Sequence, residues 1–367
     1  MKVLIMGGTG AMGNYLVDIF AKMGAEVHVT TRREKISSQN VKYIRGNAKD
    51  LDFIRPLIES GNYDAVIDFM IYSTYEFIAR YKFFTDFAGH YIFLSSSRVY
   101  ADSDSPITEN SPRLLDVSKD SKYLLTDEYA LTKARQENIL LNGRAGNFTI
   151  IRPYITYSNE RLQLGVYEKE RWLYRALHGR EIVFSRDIAS RFTTMTWGHD
   201  VAGAIADLAG NNNAFGEVFH ITGDDSMKWE DIAELYIKIL TGLTGHEAKI
   251  IYVDKAFDNT AQLNYDRLYN RIFDNGKIKS LVKNFKPLSI CEGLKKCLTE
   301  FVRDNHAFNG VDWSWEARVD KVCGGHAKIN EFDSFRAGRN YFLARYCPAL
   351  LYLSRLPKRV IRRLRKK

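Results

Sequence analysis

The chain has 367 residues, 45% of them hydrophobic, and a formal net charge of +9. This length and composition predict one large or two medium folded domains and exclude a largely disordered chain. The charge is uneven: Ser334 to Lys367 holds eleven Lys or Arg and no acid, which leaves 42 of the 53 basic residues against 44 acidic ones in the rest. A near-neutral body argues against a nucleic-acid-binding surface spread over the fold.

The sequence shows no pattern expected of an N-terminal secretion signal or of a membrane-spanning helix. The sequence runs from Met1 directly into an apolar strand pattern, and no run of about 18 apolar residues occurs. The four cysteines show no metal-ligand spacing, so we expect free thiols and no metal site. These features predict a cytoplasmic protein.

Strand and helix patterns alternate through the first half of the chain. Strand-like runs occur at Val3–Ile5, Glu26–Thr31, Val41–Ile44, Ala65–Phe69, Tyr91–Leu94 and Thr149–Ile151. Helical patterns between them include Tyr15–Met23, Thr74–Phe87 and Asp127–Leu141, and a later helix and strand follow at His199–Leu208 and Val218–Ile221. This alternation predicts an α/β fold with a Rossmann-type doubly wound parallel sheet.

The remaining segments suggest how the chain divides. We expect the dinucleotide-binding domain at 1–153 plus 192–222, and a smaller mixed α/β substrate domain at 154–191 plus 223–325. Residues 326–367 are expected to form a basic amphipathic tail.

A glycine-rich turn follows the first strand. Gly7, Gly10 and Gly13 are spaced so that backbone N–H groups and a helix N-terminus could approach a pyrophosphate, which a Cβ atom would obstruct. The alternative is a tight strand-to-helix turn without a ligand. The order of motifs along the chain favours the nucleotide interpretation.

Tyr129 and Lys133 form the second motif. Four residues apart in a predicted helix, they lie on one face, where the ammonium can lower the pKa of the phenol. Such a pair on a surface helix can also be merely solvated. A run of serines, Ser95 to Ser97, lies between the glycine-rich turn and Tyr129 in the sequence and favours a catalytic site.

These residues resemble the extended short-chain dehydrogenase/reductase family of nucleotide-sugar epimerases, dehydratases and reductases. The resemblance covers about the first 320 residues and is closest to a bacterial branch related to the chloroplast stem-loop-binding proteins. Its motifs are Gly7–Gly13, Asp64–Ile67, Phe93–Tyr100, Tyr129–Lys133, Ile151–Pro153, His199–Ala202 and Phe273–Lys279.

The resemblance implies a catalytic triad of Ser96, Tyr129 and Lys133. Tyr129 would exchange a proton with the substrate oxygen while a hydride passes to or from a nicotinamide, Ser96 would orient that oxygen, and Lys133 would hold the ribose and the pKa of Tyr129. Ser96 could instead be a hydrogen-bonded hydroxyl at a strand end.

The resemblance also implies a cofactor site. Its expected residues are Gly7, Thr9, Gly10, Ala11, Met12, Gly13, Arg32, Arg33, Asn47, Ala48, Phe69, Met70, Tyr129, Lys133 and Pro153. Arg32 and Arg33 stand where NAD-preferring relatives have an acid, which favours the 2′-phosphate of NADP, with NAD as the second option. The two arginines could also be solvated at a strand end.

Departures from the family pattern concern the reaction and the substrate. Dehydratases have Asp-Glu after the catalytic Ser or Thr, whereas this chain has Ser97-Arg98, so dehydration is disfavoured. Expected substrate-binding residues are Ser96, Tyr154 and Arg191, although Arg191 could equally form an interdomain salt bridge. Ile155 stands where epimerases often have asparagine.

Other conspicuous residues are expected to be structural. His220 lies in an apolar strand pattern, which is typical of a hydrogen-bonded core histidine. Trp172, Trp197 and Trp229 are expected to pack in the core or between domains.

The sequence therefore predicts an NAD(P)-dependent nucleotide-sugar epimerase or ketoreductase of polysaccharide biosynthesis. The alternatives are a reductase of a non-sugar ketone and a non-catalytic nucleotide- or RNA-binding protein of the same fold. Expected partners are a nucleotide-sugar substrate and, as one option, a second copy in a homodimer; a nucleic acid is not expected. The segment 357–367 places Val360, Ile361 and Leu364 among seven cations, which suits an anionic membrane surface as well as a solvated tail.

Overall fold

A computed structural model describes residues 1–257, 259–304 and 306–355. The amphipathic stretch expected at 357–367 lies outside these residues. Among the helices of the described chain, none has the length and apolar character needed to cross a bilayer.

The strands are β1 (Lys2–Met6), β2 (Glu26–Thr31), β3 (Val41–Arg45), β4 (Ala65–Asp68), β5 (Tyr91–Leu94), β6 (Phe148–Pro153), β7 (Thr156–Tyr157), β8 (Gln163–Leu164), β9 (Tyr167–Glu168), β10 (Ile182–Ser185), β11 (Phe192–Thr193), β12 (Thr196–Trp197), β13 (Glu217–Ile221), β14 (Met227–Lys228) and β15 (Ile250–Val253). The α-helices are α1 (Gly13–Lys22), α2 (Leu51–Gly61), α3 (Thr74–Ile78), α4 (Tyr81–Phe87), α5 (Leu114–Val117), α6 (Ser121–Leu124), α7 (Tyr129–Leu141), α8 (Lys169–Leu177), α9 (Arg186–Ala189), α10 (Gly198–Leu208), α11 (Trp229–Thr244), α12 (Gly276–Leu281), α13 (Ile290–Arg303), α14 (Trp313–Cys323), α15 (Phe335–Tyr346) and α16 (Pro348–Arg355). Single 3-10 turns occur at Ser97–Val99, Asn212–Ala214 and Ile329–Glu331, and a π-helical turn at Leu263–Arg267.

Seven parallel strands form the central sheet in the order β13-β6-β5-β4-β1-β2-β3. Chain order reverses between β1 and β4, because β1 pairs with both β2 and β4. This arrangement confirms the predicted Rossmann-type doubly wound sheet. The crevice of such a sheet opens at the carboxyl ends of the strands beside that reversal.

Alternate residues of β1 serve two separate cores. Val3 and Ile5 pack in one cluster with α1 and α10, whereas Leu4 and Met6 pack in another with α2, α4 and α7. Both faces of a parallel sheet need such cover, because their side chains are apolar. The result fixes β1 and the turn that follows it in the middle of the molecule.

Two predicted boundaries shift for tertiary reasons. The expected helix Thr74–Phe87 is two helices, α3 and α4, because Arg80 between them is buried and its guanidinium donates to the carbonyls of Glu76 and Lys49. The strand expected to reach Phe69 ends at Asp68, whose carboxylate accepts a hydrogen bond from the Met70 N–H at 2.8 Å. That side-chain contact turns the chain at the sheet edge.

A third core lies beside the sheet and contains several large aromatic residues. Trp172 and Trp229 are fully buried there together with Tyr236 and Trp315.

The sequence analysis assigns the segment following Asn275 to the smaller substrate domain, but part of this segment packs elsewhere. Ile278, Val282 and Phe285 pack with the sheet core instead, because they form an apolar face of α12 and the turn after it.

The segment expected to be a tail from residue 326 is folded in its described part. α15 packs on α14, with Tyr341 buried against Trp313 and Phe332. The Tyr341 hydroxyl also donates to Asp320 at 2.6 Å. Basic residues dominate the composition of this stretch, and for this reason the sequence pattern suggested a tail. Two alanines and an aromatic residue nevertheless recur at helical spacing and form an apolar helix face.

Candidate functional site

Two connected depressions open at the carboxyl ends of the central strands. The tyrosine cavity, of about 430 Å³, is lined by Ser96, Tyr129, Lys133 and Pro153 among others. The glycine cleft, of about 480 Å³, is lined by Gly7, Thr9, Gly10, Arg32, Asn47, Ala48 and Met70 among others. Phe69 and Ile71 line both, so the two depressions form one continuous site.

The three motif glycines have different surroundings. Gly7 adopts φ +72°, a left-handed conformation that favours glycine, and a Cβ atom at Gly10 would meet nothing within 4 Å. A Cβ atom at Gly13 would instead lie 2.6 Å from the backbone of Gly8. Gly13 lines neither depression, so its smallness serves the packing of the turn rather than access of a ligand. Ala11 borders an adjoining groove and Met12 the tyrosine cavity.

The two arginines after β2 are exposed: Arg32 lines the glycine cleft, and Arg33 lines an adjoining groove that also contains Glu160, Glu168 and Glu170. A hydroxyl-to-backbone turn at Thr31 presents them: Thr31 Oγ1 donates to Arg33 O at 2.9 Å and accepts from Arg33 N at 3.1 Å. Neither guanidinium has a hydrogen bond or ion pair within the described residues. The cleft lining includes Arg32 and Lys49 and, among described residues, no carboxylate. This end of the site is therefore suited to an anion; Arg33 borders the adjoining groove.

Asp68 is a buried acid that the sequence analysis did not single out. It accepts hydrogen bonds from Met70 N and from the Tyr91 hydroxyl, both at 2.8 Å, and so supports the turn carrying Phe69 and Met70. Burial raises its pKa to about 6 despite those hydrogen bonds and the charge of Lys133. The sequence signal that could have identified Asp68 is an acidic residue at the end of an apolar strand pattern.

The predicted triad converges in the tyrosine cavity. Ser96 follows β5 and is buried, and its hydroxyl accepts from Arg98 N at 3.2 Å. Tyr129 and Lys133 lie one turn apart on α7, and Lys133 Nζ donates to Leu94 O at 2.6 Å. The hydroxyls of the neighbouring serines make other hydrogen bonds: Ser95 donates to Glu137 at 2.5 Å and Ser97 donates to Arg152 O at 2.8 Å.

Charges around the triad differ from those expected. Burial lowers the pKa of Lys133 to about 8, opposed by Asp68 and Glu137. Burial also raises the pKa of Tyr129, and the charge of Arg98 is the largest opposing effect, followed by the Ser96 hydroxyl. The sequence analysis assigned the lowering of the Tyr129 pKa to Lys133. In the structure Arg98 is the first of the charges that lower the pKa of Tyr129, whereas Lys133 is itself desolvated and directed at the Leu94 carbonyl.

Arg98 is the residue that the sequence analysis undervalued. Its guanidinium donates to Glu128 at 2.7 Å, lies 3.8 Å from Asp266 and is 5.2 Å from the centre of the Tyr129 ring. Its Nε atom is buried and has no hydrogen-bond partner among the described residues. The sequence identified Arg98 only as a departure from a dehydratase pattern, whereas the fold brings its charge to the catalytic candidate.

The substrate side of the cavity contains one of the two further expected residues. Tyr154 lines it, and its hydroxyl accepts from Arg267 at 3.2 Å. Arg191 does not line the cavity. Besides Arg98 and Lys133, the cations in its lining are Arg161 and Arg267, on segments that no motif had marked. Both were missed because only the packing of the smaller unit brings them over the sheet.

Ile155, also in the cavity lining, has an unusual backbone. Its φ of 30° lies in the left-handed region, which a β-branched residue rarely adopts. Its carbonyl accepts from Thr196 N at 3.1 Å, which fixes the conformation. Asparagine, which the family often has here, tolerates that region more readily.

The expected structural residues are confirmed as such. His220 is buried and its Nε2 lies 2.7 Å from the Asp274 carbonyl. Trp197 packs edge-on against Tyr15 with ring centres 5.7 Å apart. None of these side chains lines the tyrosine cavity.

The fold and cleft define a Rossmann-type α/β protein. Residues 3–81 match the family described as "NAD dependent epimerase/dehydratase family". This match over the first strands and helices agrees with the resemblance seen in the motifs.

One curated relative is the chloroplast stem-loop binding protein of 41 kDa b from Arabidopsis thaliana, 25% identical over 253 residues. That alignment covers 65% of this chain and 62% of the relative, so the chain spans less than two thirds of that protein's length.

Solved structures share the fold at lower identity. The UDP-glucose 4-epimerase of Thermotoga maritima with UDP-glucose has a TM-score of 0.64 at 18% identity, covering 83% of this chain and 99% of that one. The UDP-glucuronic acid 4-epimerase of Bacillus cereus, in complex with UDP-glucuronic acid and NAD, has a TM-score of 0.63 at 16% identity, covering 83% and 100%. These likenesses establish the architecture.

Proposed function

We propose that the protein is an NADP-linked epimerase or ketoreductase acting at a carbon of a nucleotide sugar. The observation that carries this proposal is the continuity of the glycine cleft with the tyrosine cavity through Phe69 and Ile71. A dinucleotide extended along the cleft would have its far end beside Ser96, Tyr129 and Lys133.

The residues present fit such a cofactor. Gly7 has the turn conformation and Gly10 has the open space that a pyrophosphate beside α1 requires. The exposed, unpaired guanidiniums of Arg32 and Arg33, and a cleft lining without a carboxylate among described residues, support a 2′-phosphate over a free ribose hydroxyl. NAD is the second option, and it is the cofactor named for the Bacillus cereus epimerase.

When bound, the nicotinamide accepts or supplies the hydride. In alcohol oxidation the substrate O–H proton passes to the Tyr129 phenolate as the C–H hydride leaves; ketone reduction is the reverse, with neutral Tyr129 donating the proton. Ser96 would hold the substrate oxygen, and Lys133 would contact the ribose. Burial raises the pKa of Tyr129, which favours the neutral, proton-donating form of its hydroxyl in the free protein.

Cations in the tyrosine cavity support a phosphorylated substrate. Arg161 and Arg267 line this cavity, where they pair with Glu168 and Asp266, and their guanidiniums could contact a nucleotide diphosphate. The solved relatives named above are epimerases of UDP-sugars. We place the reaction in polysaccharide biosynthesis in the cytoplasm, and dehydration stays disfavoured because Arg98 stands where a dehydratase needs an acid.

The deciding experiment compares two reactions. Candidate nucleotide sugars are incubated with catalytic NADP⁺, and their 4-keto forms with stoichiometric NADPH. Epimerisation leaves the net cofactor redox state unchanged, whereas reduction consumes NADPH mole for mole. Turnover of simple ketones alone would support the non-sugar reductase. Absence of turnover together with RNA binding would support the non-catalytic alternative, which the name of the Arabidopsis relative suggests.

Two assembly proposals accompany the enzyme proposal. The segment 357–367, with seven cations and no acid, is proposed to contact an anionic membrane surface. A homodimer is proposed as the second, and light scattering of the purified full chain tests it directly.

A further inference from the structure

The C-terminal helices expose an unusual amount of apolar surface. Of the nineteen large hydrophobic side chains that are exposed among described residues, six lie between Ile329 and Tyr352. They are Ile329, Phe335, Phe342, Tyr346, Leu350 and Tyr352. Single exposed apolar residues are normal, but a cluster of them indicates an interaction surface.

α15 does not need this surface for its own packing. Its inner face is held by buried Ala337 and Tyr341, and the Tyr341 hydroxyl reaches Asp320, which in turn pairs with Arg175 at 2.6 Å. Ring contacts with Trp313 complete that side. The orientation of the outer face is therefore fixed by a completed core beneath it.

The outer side chains form one continuous surface. Ile329, Phe335 and Phe342 border a common shallow groove with Phe332 and Gly338. Phe335, Phe342 and Tyr346 recur at helical spacing, and the rings of Phe342 and Tyr346 stack with centres 6.2 Å apart. We call Ile329, Phe335, Phe342 and Tyr346 the aromatic face.

The charges bordering the aromatic face are mostly positive. Arg339 lines the same groove and Arg336 is its exposed neighbour; neither has an ion pair within the described residues. Asp333 is the exposed acid beside them, whereas Glu331 is turned inwards to Arg180 at 3.2 Å. From residue 334 onward the sequence contains eleven cations and no acid.

We infer that the aromatic face is a docking surface for an anionic lipid bilayer, with α15 lying in the plane of the headgroups. Aromatic and aliphatic side chains enter the interface while arginines meet lipid phosphates, which is the pattern of an interfacial helix. This surface is distinct from the tyrosine cavity, and the inference is independent of the proposed enzymatic function.

Charge argues against two other occupants. Residues 356–367 carry seven cations, so Arg336 and Arg339 would repel that segment, and a second copy of the face would bring like charges together. RNA would satisfy the arginines and could stack on Phe335, but the aliphatic side chains of Ile329 and Leu350, which are also exposed, provide no ring for a base to stack on. A bilayer satisfies both the apolar and the cationic parts.

The test is sedimentation of the full chain with phosphatidylcholine vesicles, with and without phosphatidylglycerol. The double variant Phe335→Ser/Ile329→Ser removes side chains that are 90% and 83% exposed. Its matched control is Tyr75→Ser/Leu125→Ser, at 83% and 88% exposure elsewhere. We expect binding to the anionic vesicles only, weakened about tenfold or more in the first variant and unchanged in the control.

A second variant separates charge from apolar contact. Arg336→Gln/Arg339→Gln should weaken vesicle binding and reduce its dependence on salt, since exposed charges are screened. Equal vesicle binding by the wild-type chain and Phe335→Ser/Ile329→Ser would overturn the inference. Loss of dimerisation or of RNA binding in that variant, with vesicle binding unaltered, would overturn it in favour of the other occupant.

Discussion

The guanidinium carbon of Arg98 lies 5.2 Å from the centre of the Tyr129 ring. The same guanidinium is anchored to Glu128, the residue that precedes α7 and accepts from Ala130 N at 2.7 Å. Arg98 is thereby held beside the phenol by the helix that carries it. This cation opposes the burial that raises the pKa of Tyr129.

Replacing Arg98 should therefore change the pH dependence of catalysis. In Arg98→Met the pKa of Tyr129 rises further, so alcohol oxidation near neutral pH should fall by about tenfold and recover at higher pH, because the phenolate becomes scarcer. Ketone reduction, which needs neutral Tyr129, should be much less affected. Arg98→Lys keeps the charge and is the control. Identical pH–rate profiles for wild type and Arg98→Met would refute this role.

Tyr129→Phe tests the proton relay itself. Removing one hydroxyl should lower turnover by roughly 10² or more while cofactor affinity stays nearly intact. Lys133→Met should impair both, because the ammonium is also expected to hold the ribose. Tyr75→Phe is a suitable control, since Tyr75 is exposed and outside the cavity lining. Full activity of Tyr129→Phe would show that the catalytic assignment is wrong.

Cofactor preference should depend on the arginines after β2. We expect NADPH to bind at least about tenfold more tightly than NADH, a difference of roughly 1.4 kcal/mol, because a guanidinium pairs with a phosphate better than with a hydroxyl. Calorimetric titration of Arg32→Ala and Arg33→Ala should show this preference reduced. Arg144→Ala, at an exposed arginine away from the cleft, is the control. A preference unchanged in both cleft variants would contradict the prediction.

Substitutions at the motif glycines should distinguish effects on cofactor binding from effects on the stability of the fold. Gly10→Val places a side chain in open cleft space and should lower cofactor affinity by roughly tenfold or more, with little change in the free energy of unfolding. Gly13→Ala forces a Cβ atom against Gly8 and should destabilise the fold by about 1–3 kcal/mol. Gly203→Ala, with open space around it, controls for both. Chemical denaturation and calorimetry measure the two effects, and the reverse pattern would exclude this division.

Cofactor binding should also depend on the charge of Lys133. Because burial lowers its pKa to about 8, the ammonium is present below that pH and is lost as the pH rises through it. Affinity for NADPH should therefore be constant below about pH 8 and decline above it, whereas Lys133→Met should show weak binding without that decline. Titrations at several pH values measure this. A decline that persists in Lys133→Met would point to another group.

The sequence by itself determined the sheet and the residues that meet in the candidate site. Short apolar runs such as those of β1 and β5 indicate buried strands, and local spacing brings Tyr129 and Lys133 to one helix face. A glycine turn directly after a strand places the cleft at the sheet edge. These are short-range patterns, so they can be recognised in the sequence without knowledge of the tertiary packing.

Only the tertiary structure decided the surroundings of those residues. Arg98 reaches Tyr129 and Arg267 reaches Tyr154 from segments that are 31 and 113 residues away in sequence, and no local pattern encodes such contacts. Burial is likewise a property of the assembled core: it makes Asp68 and Lys133 titrate far from their ordinary values. The same holds for α15, whose inner alanine and tyrosine became a core face only because α14 offers a partner.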